Sequence, residues 1–246
     1  MAPADERPPL ATLGDAALLC GLSSEAVAEV VSRATVKRAA GGATVFREGE
    51  PATAFYLVTA GRVKLTQVAA DGHEVIIRLV GAAEALAAVA LFEGSTYPVT
   101  ARAVSDTRLL MWSRPALDEV FRRHPAVAVN VLRMVSERLR EAQDRLRELA
   151  TERVAQRIAR ALVRLVRQAG RRVEGGVLID LPLSRQDVAE MTGTTLYTAS
   201  RVLSEWQTRG ILESGRARVV VRRPHALVAL AEDLPEGAAA PPVGDL

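Results

Sequence analysis

The chain has 246 residues, 49% of them hydrophobic, enough for two domains with ordinary cores. No run of 18 apolar residues exists to cross a membrane. The N-terminus (MAPADERPPLATLGDAALLCGL) lacks the basic-then-apolar pattern of a signal peptide. The single cysteine, Cys20, excludes an intrachain disulfide and a four-cysteine iron–sulfur cluster. Together these lead us to expect a cytoplasmic protein with no membrane partner. The charge is uneven. Residues 1–150 carry 18 basic and 18 acidic side chains, whereas residues 151–223 carry 14 arginines and 7 acids, net +7. An excess of this size suits a polyanion, with binding that weakens steeply in salt.

Residues 10–36 read as short helices. Ser23-Ser24-Glu25 starts one of them, with Ala26, Val27, Val30 and Val31 facing inward. Cys20, among Leu18, Leu19 and Leu22, reads as a buried thiol. From about Ala40 glycines punctuate short β-rich runs: Thr44–Phe46, Phe55–Thr59, Arg62–Val68, Glu74–Leu79, Val99–Ala103 and Arg108–Trp112. Asp71-Gly72 between two of them is a hairpin signal. Many short strands at this spacing predict a small antiparallel roll or barrel.

Gly81–Phe92 is small and apolar, and reads as a short helix turned into the roll. Ser113–His124 predicts a helix closed by Pro125. Ala126–Ala150 predicts a long helix on which Val135, Leu139, Ala142, Leu146 and Leu149 follow spacings of 4, 3, 4 and 3. That is an a/d seam, and a two-fold partner helix is the expected occupant. Val154–Gln168 is amphipathic, and Gly170–Gly176 reads as its exit loop. The tail from 224, rich in Pro, Ala and Gly beyond Pro235, is expected to be largely flexible.

Leu181–Arg223 reads as two short helices around a glycine turn, followed by a two-stranded wing. Ser184-Arg185-Gln186-Asp187 has the form of a capping box, and Gly193 breaks the first helix. Thr194 or Thr195 caps a second helix running to about Arg209. Ala199, Val202, Leu203 and Trp206 form its apolar stripe. Tyr197, Ser200, Arg201 and Ser204 have the same spacing, offset by two positions, which puts them on the opposite side. Arginine can bind guanine with two hydrogen bonds, and serine reaches base edges or phosphate, as a major-groove reading helix requires.

The order of parts resembles the cyclic-AMP receptor protein/fumarate–nitrate regulator (CRP/FNR) family over about residues 12–223. The resemblance rests on Val45–Glu50 with Phe55–Val63, on Ala90-Leu91-Phe92, and on Leu183–Ala189 through Ser200–Leu203. It implies an α+β chain in four parts. Residues 1–125 would form an antiparallel β-roll of the cyclic-nucleotide-binding type, a double-stranded β-helix, with flanking helices. Residues 126–150 would form a dimerisation helix and 151–223 a winged helix-turn-helix, with 224–246 as a C-terminal segment. It also implies a homodimer on palindromic double-stranded DNA, regulating transcription and meeting RNA polymerase if it activates. The resemblance assigns base contacts to Tyr197, Ser200 and Arg201. Arg185 would meet a phosphate, and Thr195, Ser204 and Arg216 are further contacts. Tyr197 stands where many members have a glutamate that accepts from cytosine, so the family's usual half-site is not expected to hold unchanged.

The resemblance places the effector pocket at Ala87, Ala88, Tyr97, Pro98, Ala142 and Gln143. Cyclic-nucleotide-binding members have Glu at the Ala88 position and Arg at the Tyr97 position, to hold ribose and cyclic phosphate. A buried phosphate without such partners is costly, so the chain is expected not to respond to cyclic AMP. Two alternatives stay open: haem gas sensing through His73, His124 or His225, and a cyclic-nucleotide module in a shifted register using Glu84 and Arg102. No metal site is expected. An enzyme on a cupin-like roll would need a cluster of histidines, and the strands carry only His73.

Overall fold

The computed structural model describes residues 8, 13–14, 16–68, 72, 74–215 and 218–234. They fall into two compact units, Met1–Ala142 and Gln143–Leu246, whose division lies inside one long helix.

In the first unit, α1 (Ser24–Ser32) is capped by the Ser23 hydroxyl, which accepts from Ala26 N. Eight strands follow: β1 (Thr35–Ala39), β2 (Thr44–Phe46), β3 (Ala54–Ala60), β4 (Val63–Val68), β5 (Glu74–Val80), β6 (Ala85–Leu86), β7 (Thr100–Ala103) and β8 (Thr107–Ser113). They make two antiparallel sheets of four, ordered β1-β8-β3-β6 and β2-β7-β4-β5. β1 lies ahead of the Ala40 start that the glycine spacing suggests.

Strand β3 shows why the roll closes. Its side chains alternate in direction. Phe55 and Leu57 enter a cluster with Val30, Val31, Trp112, Leu117 and Val131, while Tyr56 and Val58 enter a second with Val45, Phe46, Val63 and Leu109. One face is covered by helices and the other by the second sheet, so the strand reads as a continuous apolar run. Trp112 Nε1 donates to Val30 O at 2.9 Å, satisfying the one polar group of a fully buried ring. Gly61 turns β3 into β4 at φ +81°, where a Cβ would lie 2.4 Å from Asp106 O, so no other residue fits without displacing that backbone.

Two expectations for this unit fail. Gly81–Phe92 is not a helix: it forms β6 and a 3-10 turn at Ala88–Leu91. Leu86 and Ala85 pair with Tyr56 and Leu57, and edge pairing overrides the helix propensity of the alanines. Cys20 is exposed rather than buried.

Helix α2 (Arg114–Arg123) ends at His124, and Pro125 opens α3 (Pro125–Thr151), where a missing N–H costs nothing. His124 Nε2 lies 3.1 Å from Glu29 Oε2, and Arg123 Nη1 donates to Glu29 Oε1 at 2.8 Å. The His124 hydrogen bond, with help from Arg123, holds the Glu29 carboxyl below the 4.5 of an unperturbed glutamate. A depressed folded-state pKa stabilises above the unfolded value, and that stability is lost as pH falls through the folded one. The melting temperature of the wild type should therefore exceed that of Glu29→Gln above about pH 4.5, and the gap should close on acidification.

In the second unit, α4 (Val154–Ala169) buries Ile158, Leu162, Leu165 and Val166. Then come β9 (Gly170–Val173), β10 (Gly176–Ile179), α5 (Arg185–Thr192), α6 (Leu196–Thr208), β11 (Leu212–Gly215), β12 (Arg218–Val221) and α7 (Pro224–Ala231). The four strands form one antiparallel sheet, ordered β11-β12-β10-β9. The predicted exit loop at Gly170–Gly176 is thus a hairpin that widens the wing. The tail expected to be flexible from 224 instead forms α7, which packs on α4 and buries Leu227 and Ala231. Arg160 anchors it, with Nε 2.9 Å from Glu152 Oε1 and Nη1 3.0 Å from Glu232 Oε1. Residues 235–246 lie outside the described residues.

Candidate nucleic-acid interface

Local chemistry sets both helices of the turn. At α5, Ser184 Oγ accepts from Asp187 N, and Asp187 Oδ2 accepts from Ser184 N at 2.8 Å, a complete capping box. Gly193 ends α5 at φ +59°, and a Cβ there would come 3.2 Å from Leu149 Cδ2. Of the two threonines offered by the sequence, Thr195 is the cap of α6, accepting from Thr198 N at 3.2 Å.

Helix α6 has the two faces its spacing predicts. Ala199, Val202, Leu203 and Trp206 are buried, Trp206 to 1% exposure. On the other side Tyr197 is 78% exposed, Arg201 and Ser204 are exposed, and Ser200 is half-buried. Leu196, which sequence reasoning missed, is also exposed at the N-terminus of α6.

Arg185 has partners within the chain. Its Nη1 donates to Ser200 O (3.1 Å) and Ser204 Oγ (2.9 Å), and its Nη2 to Ser214 Oγ (3.3 Å). Ser214 Oγ donates in turn to Gln207 Oε1 at 2.9 Å. The guanidinium thus braces α5 against α6 and β11. At the wing, β11 and β12 pair from Leu212↔Val221 to Gly215↔Arg218. Arg222 binds Glu213 and lowers its carboxyl pKa, while Arg218 and Arg223 are exposed. Arg216 lies outside the described residues.

The positions that the resemblance gives to an effector carry little polar chemistry. Tyr97 is 3% exposed and packs in the roll, its ring 3.9 Å from that of Phe46. Its hydroxyl accepts from Ala54 N (3.1 Å) and donates to Ala54 O (3.0 Å). Burial, and then the neighbouring Tyr97, raise the pKa of Tyr56, whose ring also stacks on that of Phe46. Ala87 adopts φ +66°, Ala88 is half-buried, and Pro98, Ala142 and Gln143 are exposed. Glu84 is engaged by Arg78, and Arg102 lies on β7 opposite Lys64, so the structure pairs neither with the other. Among the described residues no group of three or more His, Cys, Asp or Glu is placed to hold a metal. His124 is bound to Glu29, His225 is exposed, and His73 is outside the described residues.

Val135, Leu139, Ala142, Leu146 and Leu149 are all exposed along α3. Leu132, one heptad before Leu139, continues the stripe and was also missed.

A β-roll in one unit and a winged helix-turn-helix with an open polar face in the other define a DNA-binding regulator with an effector-type domain. Comparison with known proteins sharpens that class. Residues 36–124 match the cyclic nucleotide-binding domain model, and residues 156–230 match the Crp-like helix-turn-helix model. The chain is 32% identical over 198 residues to the cyclic AMP receptor protein of Thermus thermophilus, covering 80% of this chain and 87% of that protein. The structure of FixK2 from Bradyrhizobium japonicum is similar with a TM-score of 0.70 at 29% identity, covering 80% and 96% of the two chains. That of the c-di-GMP responsive global regulator CLP of Xanthomonas campestris gives 0.71 at 26%, covering 81% and 99%. The chain belongs to the CRP/FNR family and is a DNA-binding transcription regulator, not an enzyme.

Proposed function

We propose that the protein acts in the cytoplasm as a homodimer, reads a palindromic operator with α6, and does not respond to cyclic AMP. The observation that carries the reading is the division of α6 into a face sealed by Trp206 and a face that leaves Tyr197 and Arg201 in solvent. Tyr197, Ser200 and Arg201 would meet base edges, with Leu196 suited to a thymine methyl. Thr195 and Ser204 lie on the α6 rim and Arg218 on the wing, where phosphates would run, and Arg216 and Arg223 would be further phosphate contacts. Arg185, tied to Ser200 and Ser204, would act chiefly by holding α6 at its angle.

Insensitivity to cyclic AMP is supported by Ala88 and by Tyr97, whose hydroxyl is committed to Ala54. RNA polymerase is a further partner if the protein activates. The test begins with selection of an operator from random duplex DNA. Arg201→Ala should weaken operator binding by ~1–3 kcal/mol and relax the sequence preference at one base pair of each half-site. Wild-type affinity in that variant would remove α6 as the reader. Calorimetry with cyclic AMP should give no saturable heat, and a saturable isotherm would overturn the effector part alone.

A further inference from the structure

The first turn of α6 presents two apolar side chains to solvent. Leu196 is 48% exposed and Tyr197 78% exposed. Among the described residues beyond Leu149, no other large hydrophobic side chain is exposed. The face they adjoin is otherwise polar. Leu196 stands four positions before Ser200 and Tyr197 four before Arg201, so each apolar side chain heads a row that continues in a polar one.

The groups around the pair are held by the protein itself. Thr195 Oγ1 accepts from Thr198 N at 3.2 Å and lies 3.0 Å from Thr198 Oγ1. Arg185 donates to Ser200 O and Ser204 Oγ. These bonds fix the first turn and the angle of the helix, and they leave Leu196 and Tyr197 uncovered. Scattered apolar side chains are ordinary on a surface. Two neighbours beside hydroxyls and a guanidinium, at the reading end of a helix, call for an apolar occupant. Among the base edges of the major groove one group fits, the C5-methyl that thymine carries. Neither side chain offers the carboxylate with which Asp or Glu accepts from the cytosine amino group.

We infer that Leu196 and Tyr197 close together on the C5-methyl group of a pyrimidine, thymine or 5-methylcytosine, in each half-site. The inference rests on the reading of α6 as the helix in the major groove, and deepens it by naming what its first turn selects. Leucine supplies a branched apolar tip and tyrosine a rigid ring. A helical turn advances about 5.4 Å and a base step about 3.4 Å. The methyl therefore lies one or two base pairs from the pair that Arg201 reads.

The test uses the full chain and an operator selected from random duplex DNA. A thymine is expected one or two base pairs from the position whose preference relaxes in Arg201→Ala. Replacing that thymine by uracil removes the methyl and nothing else. Burying one methyl is worth a factor of about four, so affinity should fall about fourfold for one half-site and about 15-fold for both. Uracil at a thymine outside the half-sites should change nothing. The penalty should vanish when Leu196→Ala and Tyr197→Ala are combined, both being exposed positions. It should persist in Tyr197→Phe, which keeps the ring. Exchanging the T·A pair for C·G, with and without the C5-methyl, separates the two sources. A gain of about fourfold on methylation shows that the methyl suffices on either base, whereas no gain beside a uracil penalty confines the reading to thymine. No thymine preference in the selected half-site, uracil bound as tightly as thymine, or an undiminished penalty in the double variant would overturn the inference. Arg201→Ala tells its failure from that of the wider reading. If that variant relaxes specificity while uracil costs nothing, α6 still reads and only the methyl contact falls. If it binds as wild type does, reading by α6 falls and takes this inference with it.

Discussion

Replacing Leu139 and Leu146 together by glutamate should leave the chain folded and monomeric, and take most of its operator affinity away. Both side chains are open in the single chain, at 60% and 69% exposure, so neither contributes much to its fold. Exposed substitutions of this kind shift stability by about 0.5 kcal/mol or less. In a two-fold seam the same positions are buried, and each substitution occurs twice. Burying one leucine is worth ~2 kcal/mol, so four lost leucines remove ~8 kcal/mol before any charge repulsion is counted. At ~1.4 kcal/mol per decade, that is a dimer constant weakened by five to six decades. A palindrome would then be met by separate monomers, and losing the linked second half-site costs about 10²- to 10⁴-fold in affinity. Sedimentation velocity and the far-ultraviolet melting curve check the two halves of the claim. A double variant that still sediments as a dimer would show that this stripe is not the seam.

What could be read from the residues followed how locally each feature is encoded. The faces of α6 were legible because four apolar and four polar side chains repeat at helical spacing within one segment. The capping box at Ser184 and the stop at Gly193 were legible for the same reason. Strand β6 was not, since two residues carry no period and their identity as a strand comes from pairing with Tyr56 and Leu57. The β9–β10 hairpin was hidden by Gly170 and Gly176, which look like loop glycines. Gly170 faces Ile179 and Gly176 faces Val173 across that pair, and a Cβ at Gly176 would lie 2.3 Å from Val221 O. α7 could have been found: Pro224 is a good first helical residue, and HALVALA after it has no breaker.

The bracing role of Arg185 was beyond such reading. It joins side chains far apart in sequence that only the tertiary fold brings together. The resemblance anticipated Tyr97 as a missing phosphate partner. That its hydroxyl turns inward to Ala54 depends on the roll interior formed with Phe46 and Tyr56.

Trp206→Ala should strongly destabilise the reading head while the β-roll persists. The indole is the largest fully buried side chain of the second unit, and it lies on the inner face of the helix that carries Tyr197 and Arg201 outward. Truncating a buried tryptophan costs ~3–5 kcal/mol, because the transfer loss is joined by the cavity left behind. A domain of ordinary marginal stability, ~5–15 kcal/mol, loses a large part of its margin at one stroke. The chain has two tryptophans, and the other, Trp112, belongs to the first unit. In the variant, fluorescence therefore reports the roll alone. Its denaturant midpoint should match that of the wild-type roll, whereas circular dichroism should show an earlier transition from the second unit, and operator binding should be lost. Trp206→Phe, which keeps an aromatic body in the same space, should restore most of both. If Trp206→Ala bound the operator with native affinity, the inner face of α6 would not be what holds its outer face in place.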